Sequence, residues 1–258
     1  MTTASAPVSL GVAGALGPDL IAGIARDAET AGFHALWVND TPTGDALAAL
    51  AAAAEVTDRL VLATGVLPLD RRSAAEVAAR TASLPVGRVV LGVGSGATRV
   101  GALRLVADGV RELRARTGHR VVVGALGPRM RRLGASDADG VLLSWLPPDT
   151  ARAQAGEAHE VAAGAHAALY VRTAVDDAGE ARLRREAERY AGLPQYAANL
   201  ARVGAEVMDT VLVGAALAPG LAAYRAAVDE VVLRAIVAED TPDAYRDFIA
   251  AVRGLPTA

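Results

Sequence analysis

Residues 59–96 read RLVLATGVLPLDRRSAAEVAARTASLPVGRVVLGVGSG, two apolar runs that each end in glycine, with a helical pattern between them. Leu60 to Ala63 is short, apolar and without alternation, the pattern of a parallel strand covered on both faces, and it breaks at Thr64-Gly65-Val66. From Arg72 to Leu84, apolar positions at Val77, Ala78, Thr81, Ala82 and Leu84 follow helical spacing, and Ser73 with Glu76 suits a first turn. Val89-Val90-Leu91 then runs into Gly92-Val93-Gly94-Ser95-Gly96. This is a βαβ unit, and its glycine turns fall where parallel sheets place ligand loops.

The same alternation extends in both directions. Upstream, strands are expected at Val8 to Val12 and Ala35 to Val38, with helices at Pro18 to Ala31 and Asp45 to Val56. Downstream, strands are expected at Arg120 to Val123, Val141 to Ser144, Ala168 to Val171 and Glu230 to Val237. The intervening stretches read as helices, with two of them between Asp176 and Met208, separated near Pro194. Eight short apolar strands alternating with helices point to a (β/α)₈ TIM barrel in one domain over residues 1–258, with its active face at the C-terminal strand ends.

Composition narrows the function classes. A net charge of −3 with dispersed arginines argues against a nucleic-acid surface, and no apolar run approaches the roughly 18 residues of a membrane span. Without cysteine there is no disulfide, thiolate nucleophile or sulfur-ligated metal, and four histidines make metal chemistry an unpromising reading. Every basic residue is arginine, so a Schiff-base lysine is absent as well. The expectation is a cytoplasmic protein with a small-molecule substrate, no nucleic acid, no membrane and no metal.

Three turns carry candidate chemistry. Gly92 to Ala97 formally matches a dinucleotide fingerprint, but the next strand closes with Gly124 where that motif calls for an acid. Gly124, Ala125, Leu126 and Gly127 precede Pro128, so exposed backbone N–H groups and a helix start form a cradle for phosphate; an ordinary proline-initiated helix has the same signature. Arg129, Arg131 and Arg132 add charge in different directions. Asp40, at the end of the second strand, reads either as a general acid or hydrogen-bond partner in the barrel mouth or as the cap of the turn before Pro42. Trp145 is placed to wall a flat ligand or to pack; His34, His119 and His166 lie on the opposite face, and His159 falls on a solvated helix.

Taken together, Gly32 to Asp40, Ala63 to Leu69, Gly87 to Gly96, Val123 to Met130, Ala138 to Val141 and Asp229 to Arg234 resemble the luciferase-like flavin-dependent oxidoreductases and monooxygenases. The resemblance implies a TIM barrel that binds coenzyme F420, with FMN as the alternative. Under it, Gly65 and Val66 back the flavin ring, Gly94, Ser95 and Gly96 lie beside it, Gly124 to Gly127 hold the phosphate, and Asp40 and Thr64 belong to the same site. It also implies a cis peptide bond between Gly65 and Val66.

Two departures bear on the substrate. The deazaflavin-dependent sugar-phosphate and alcohol dehydrogenases of the family have a histidine where this chain has Thr41, and some have a carboxylate where it has Ala97. Only about two dozen residues separate Gly96 from Arg120, so the barrel is shortened between its fourth and fifth strands, and the usual lid is missing or comes from a partner. The implied function is hydride transfer between F420 or FMN and a small organic substrate; a degenerate flavin-binding barrel without turnover is the alternative. The alanine-rich helix from Asp45, with almost no polar face, adds the expectation of a homodimer.

Overall fold

The computed structural model describes residues 5–255; residues 1–4 and 256–258 of the expected domain lie outside it. The first half of the chain runs Val8–Ala13 (β1), Pro18–Thr30 (α1), Ala35–Asn39 (β2), Ala46–Ala54 (α2), Val61–Thr64 (β3), Leu67–Pro68 (β4), Ala74–Thr81 (α3), Val89–Gly94 (β5) and Ala102–Arg116 (α4). The second half runs Arg120–Gly124 (β6), Pro128–Asp137 (α5), Gly140–Ser144 (β7), Pro148–Val161 (α6), His166–Thr173 (β8), Asp177–Ala191 (α7), Pro194–Val203 (α8), Val211–Leu212 (β9), Leu217–Arg225 (α9), Glu230–Ala235 (β10) and Pro242–Arg253 (α10).

Eight of the strands form a closed parallel barrel in the order β1, β2, β3, β5, β6, β7, β8 and β10. Closure is made by β10, which pairs with β1 (Val8 to Val231) and with β8 (Glu230 to Ala168). The expected (β/α)₈ barrel is therefore the observed fold, and α4 alone joins β5 to β6. The short pairs β4 and β9 are additions that apolar pattern did not reveal: β4 resumes beside β5 after the chain breaks at Gly65-Val66, and β9 extends the top of β8.

Local chemistry sets the helix starts. Asp45, expected inside a helix, is the N-cap of α2, and its carboxylate accepts from the N–H groups of Leu47 and Ala48 at 3.1 Å. Ser73 caps α3 in the same way, and proline opens α5, α6, α8 and α10. No described helix is long and apolar enough to cross a membrane.

The core has an outer layer between strands and helices and a smaller layer inside the barrel, built from Ala35, Trp37, Ala63, Val90, Val122, Leu142, Ala168, Tyr170 and Val232. Trp37 and Tyr170 meet edge to face, with 6.2 Å between ring centroids. At the base of this inner layer the buried Glu230 carboxylate accepts from Ser9 Oγ and Trp37 Nε1, each at 2.6 Å, and its second oxygen lies 2.8 Å from His166 Nε2. Burial pushes the Glu230 carboxyl up, but the bonds from His166, Ser9 and Trp37 outweigh it and hold it below the usual glutamate range.

Because the folded pKa is the lower one, this site's contribution to stability is complete above the unfolded glutamate value of about 4.3 and is lost as pH falls through the folded value. Glu230→Ala, which strands the donors, should lower the unfolding free energy by about 3–5 kcal/mol. Glu230→Gln should flatten the acid limb of stability against pH, measured by denaturant melts between pH 3 and 7.

Candidate functional site

The C-terminal ends of the strands open into a cavity of about 590 Å³. Of the residues singled out in the sequence, Gly65, Val66, Gly94, Ser95, Gly96, Gly124, Ala125, Leu126 and Gly127 line it, and Asp40 and Thr64 do not. The barrel thus gathers three turns, from the ends of β3, β5 and β6, around one space.

The floor is made at the break after β3. The Gly65-Val66 peptide is cis, as the resemblance implied. Gly65 N–H donates to Val38 O at 2.9 Å, and the Asn39 side-chain amide donates to Gly65 O. Thr64 lies behind the floor and ties it to β5 through a 3.0 Å bond from Oγ1 to Gly92 O. Val66 is held between Gly94 and Gly124, where a Cβ on either residue would come within 2.9 Å of its methyl groups. These glycines are needed for close approach, not for turning.

Gly96 is different: its φ is 60°, and a Cβ there would lie 1.9 Å from Asp70 Oδ1. Asp70 Oδ2 accepts from Ala97 N–H at 2.7 Å and secures the turn. The glycines after β5 therefore lead into a loop, and the helix begins only at Ala102. This removes the strand-to-helix junction that a dinucleotide fingerprint requires.

The turn after β6 does meet a helix N-terminus, with Gly127 as N-cap and Pro128 opening α5. Arg131 braces it from behind, donating to Leu126 O at 3.2 Å while paired with Glu157 at 2.6 Å, and Arg202 donates to the same carbonyl at 2.7 Å. Arg129 and Arg132 line a shallow outer groove between α4 and α5. The three arginines thus point in different directions, as their helical spacing predicts, divided between bracing the turn and the outer groove.

Asp40 is buried and engaged. Its Oδ1 accepts from Ala46 N–H at 3.1 Å, and its two oxygens take bonds from Arg71 and Arg72 at 3.1–3.2 Å. Asp40 thus ties the start of α2 to an arginine pair from the loop before α3. His119 and His166 make bonds below the barrel mouth, to Thr81 O and Glu230. His159, expected to be solvated, lies 2.9 Å from Asp229 Oδ2.

The far wall is formed by residues the sequence reading did not single out. Tyr190, Leu193, Pro194, Gln195 and Tyr196, at the α7–α8 junction, line the cavity. They wall the cavity from within the chain, and α4 alone occupies the interval between β5 and β6 where the usual lid is expected to be missing or to come from a partner. Tyr170 and Arg172 reach the cavity from β8, two positions apart on the inward-facing side. The strand was expected to end at Val171, which is why Arg172 was overlooked; the structure continues it to Thr173. Trp145, with φ of 58°, is buried behind Arg172 and does not line the cavity.

Residues 3–105 match the luciferase-like monooxygenase family. No curated protein sequence matches the chain. Among solved structures, this barrel is similar to an F420-dependent secondary alcohol dehydrogenase in complex with an F420–acetone adduct, at 16% identity, a TM-score of 0.77 and coverage of 96% of this chain and 99% of that one. It is also similar to the coenzyme F420-dependent tetrahydromethanopterin reductase from Methanopyrus kandleri (16%, 0.71, 98% and 98%). A third likeness is to the oxygenating constituent of 3,6-diketocamphane monooxygenase from Pseudomonas putida, in complex with FMN (13%, 0.70, 96% and 97%).

The Tyr170 hydroxyl is buried without a hydrogen-bond partner, and burial raises its pKa above the ordinary tyrosine value. It is a neutral donor held without an acceptor, a cost that a ligand would remove. Tyr170→Phe should therefore leave the protein as stable as wild type or more stable by up to about 1 kcal/mol. Equilibrium unfolding in urea measures this, and a loss of more than that would show that the hydroxyl is satisfied within the fold.

Proposed function

We propose that the chain is an oxidoreductase that binds a flavin-type cofactor, coenzyme F420 with FMN as the alternative, and transfers a hydride to or from a small organic substrate. The observation that carries this reading is Val66, an apolar platform presented to an open cavity because Gly94 and Gly124 have no side chains. A planar ring fits against such a platform, and the turn at Gly124 to Gly127 offers backbone donors at the start of α5, where an anion is favoured. The residues present fit the group: a flat apolar floor and an anion-favouring turn face one space, with the Tyr170 hydroxyl buried beneath the floor.

When bound, such a cofactor supplies or accepts the hydride. The chain's own residues position and exclude water. Val66 would back the ring, Ser95 and Gly96 would border it, and Gly124 to Gly127 would hold the anionic end, with Tyr190 and Tyr196 on the far wall. Thr64 and Asp40 act through others: Thr64 ties the floor to β5, and Asp40 fixes Arg71 and Arg72 at the rim. Hydride transfer depends on apposition and dryness more than on a dedicated base, in keeping with a lining that contains no aspartate, glutamate or histidine. That same lining also suits the second reading, a flavin-binding barrel without turnover. Cofactor affinity with no hydride exchange to any acceptor would select the latter.

Titration of F420 and FMN side by side, followed by cofactor absorbance and fluorescence, tests the assignment; saturable binding of one is expected, and binding of neither sinks it. Gly127→Asp should weaken the cofactor by at least about tenfold, since a carboxylate would face the anion. A Cβ at Gly127 meets nothing within 4 Å, so crowding would not explain such a loss.

We further propose one TIM-barrel domain acting in the cytoplasm as a homodimer. Ala46, Leu47, Ala49, Leu50 and Ala53 of α2 are buried within the chain, while Ala48, Ala51, Ala52 and Ala54 stay half-exposed as a small-residue strip suited to a second copy. Light scattering at micromolar concentration should return twice the chain mass, and a monomer would reject the assembly.

A further inference from the structure

The charge of the cavity is one-sided. Its lining includes Arg99 and Arg172 and no acidic side chain. Arg99 sits on the glycine loop after β5, whereas Arg172 lies on β8, beneath the aromatic cover. The two positions are well separated around the barrel, and the phosphate turn after β6 lies between their strands.

Arg172 is a built feature. Its side chain is 8% exposed. The guanidinium carbon stands 3.9 Å from the Trp145 ring centroid and 4.9 Å from that of Tyr190. Such stacking fixes the plane of the fork and favours arginine over any other cation. One Nη donates to Ser144 Oγ at 2.7 Å, and Nε lies 3.5 Å from Glu186 Oε1 without forming a hydrogen bond. A guanidinium has five N–H donors, so most of this fork has no acceptor within the chain. Two residues earlier on the same face, the Tyr170 hydroxyl is also unpaired. Arg172 keeps fork donors beyond its bond to Ser144 and its ion pair with Glu186, and it lines a cavity with no acid in its lining, which describes the complement of an oxyanion.

We propose that Arg172 is the specificity-determining residue of this site, and that it selects a substrate in which a carboxylate is joined to an apolar body. This rests on the oxidoreductase reading for the identity of the bound molecule as substrate. The apolar requirement comes from Leu142, Tyr190, Leu193 and Tyr196, which line the same cavity, with Tyr190 stacked on the fork. The cofactor's own anion is assigned to the turn at Gly124 to Gly127, leaving Arg172 for the reactant. A cationic substrate is disfavoured because no acidic side chain faces the space.

The test needs no cofactor and no turnover. The full chain is titrated with benzoate and octanoate, and with benzamide and octanamide, following tryptophan fluorescence, since Trp145 lies against Arg172. Each acid should bind at least about tenfold more tightly than its amide, the discrimination expected of a charge-assisted pair. Arg172→Gln should abolish the preference and Arg99→Gln should retain it. Should the glutamine variant fail to fold, Arg172→Lys carries the test, because loss of the planar fork must reduce the preference. An acid preference absent from wild type, unchanged in the Arg172 variants, or lost in Arg99→Gln overturns the proposal. So does its disappearance in saturating inorganic phosphate, which would place the acids at the phosphate turn. Cofactor titrations of the same variants keep the two readings apart: an acid preference with no cofactor bound refutes the oxidoreductase assignment alone, and cofactor binding without the preference refutes the role of Arg172 alone.

Discussion

Everything at the barrel mouth depends on one close approach, that of Val66 to the backbones of β5 and β6. A valine can occupy this position only where its neighbours lack a Cβ, and Gly94 and Gly124 meet that condition on two successive strands. The same economy operates underneath, where a Cβ on Gly65 would lie 2.8 Å from the Tyr170 ring and hydroxyl. Interiors are packed too densely to absorb three such additions, so the glycines and the two larger side chains form a single steric unit. The platform and the unpaired Tyr170 donor are its upper and lower faces.

The two ends of the barrel interior solve opposite electrostatic problems. At the base, one buried carboxylate is fully used by a serine, an indole and a histidine, which stabilises a layer that has no ligand to bind. At the mouth, a buried guanidinium and a phenol have more donors than the chain has acceptors. Unsatisfied donors in a stable fold are kept at a cost, and such costs gather at binding sites. The contrast supports the proposed site without drawing on any resemblance.

The fold was legible because strand and helix signals alternate cleanly and glycine or proline marks nearly every boundary. The turns lining the near side of the cavity were legible for the same reason: Gly65, Gly94 and Gly124 end apolar runs, and Pro128 opens a helix. The far wall was not. Arg172 ends a run that looks complete at Val171, and a charged residue at the end of an apolar strand reads as solvent-facing unless alternation is carried one step further. Tyr190 and Tyr196 sit at the ends of charged helices, where nothing in the periodicity says that they turn back over the barrel. Asp40 was legible as a choice between two roles, and only the positions of Arg71 and Arg72 decide it, since sequence pattern does not report a pairing between separate loops.

The shortened connection between β5 and β6 moves the work of enclosure to another part of the chain. With α4 alone in that interval, the cover comes from α7 and α8, which follow directly from β8. Tyr190 packs against Arg172 on one side and against Tyr196 on the other, at 4.9 Å between ring centroids. The strand that carries the cation and the helices that exclude water are thus one continuous stretch, from Tyr170 to Val203. A lid borrowed from a separate insertion would close over the cofactor independently of what the site binds. Here the aromatic wall rests on the guanidinium itself, so under the proposed function filling the space beside Arg172 and drying the site would be coupled through the same stacked rings.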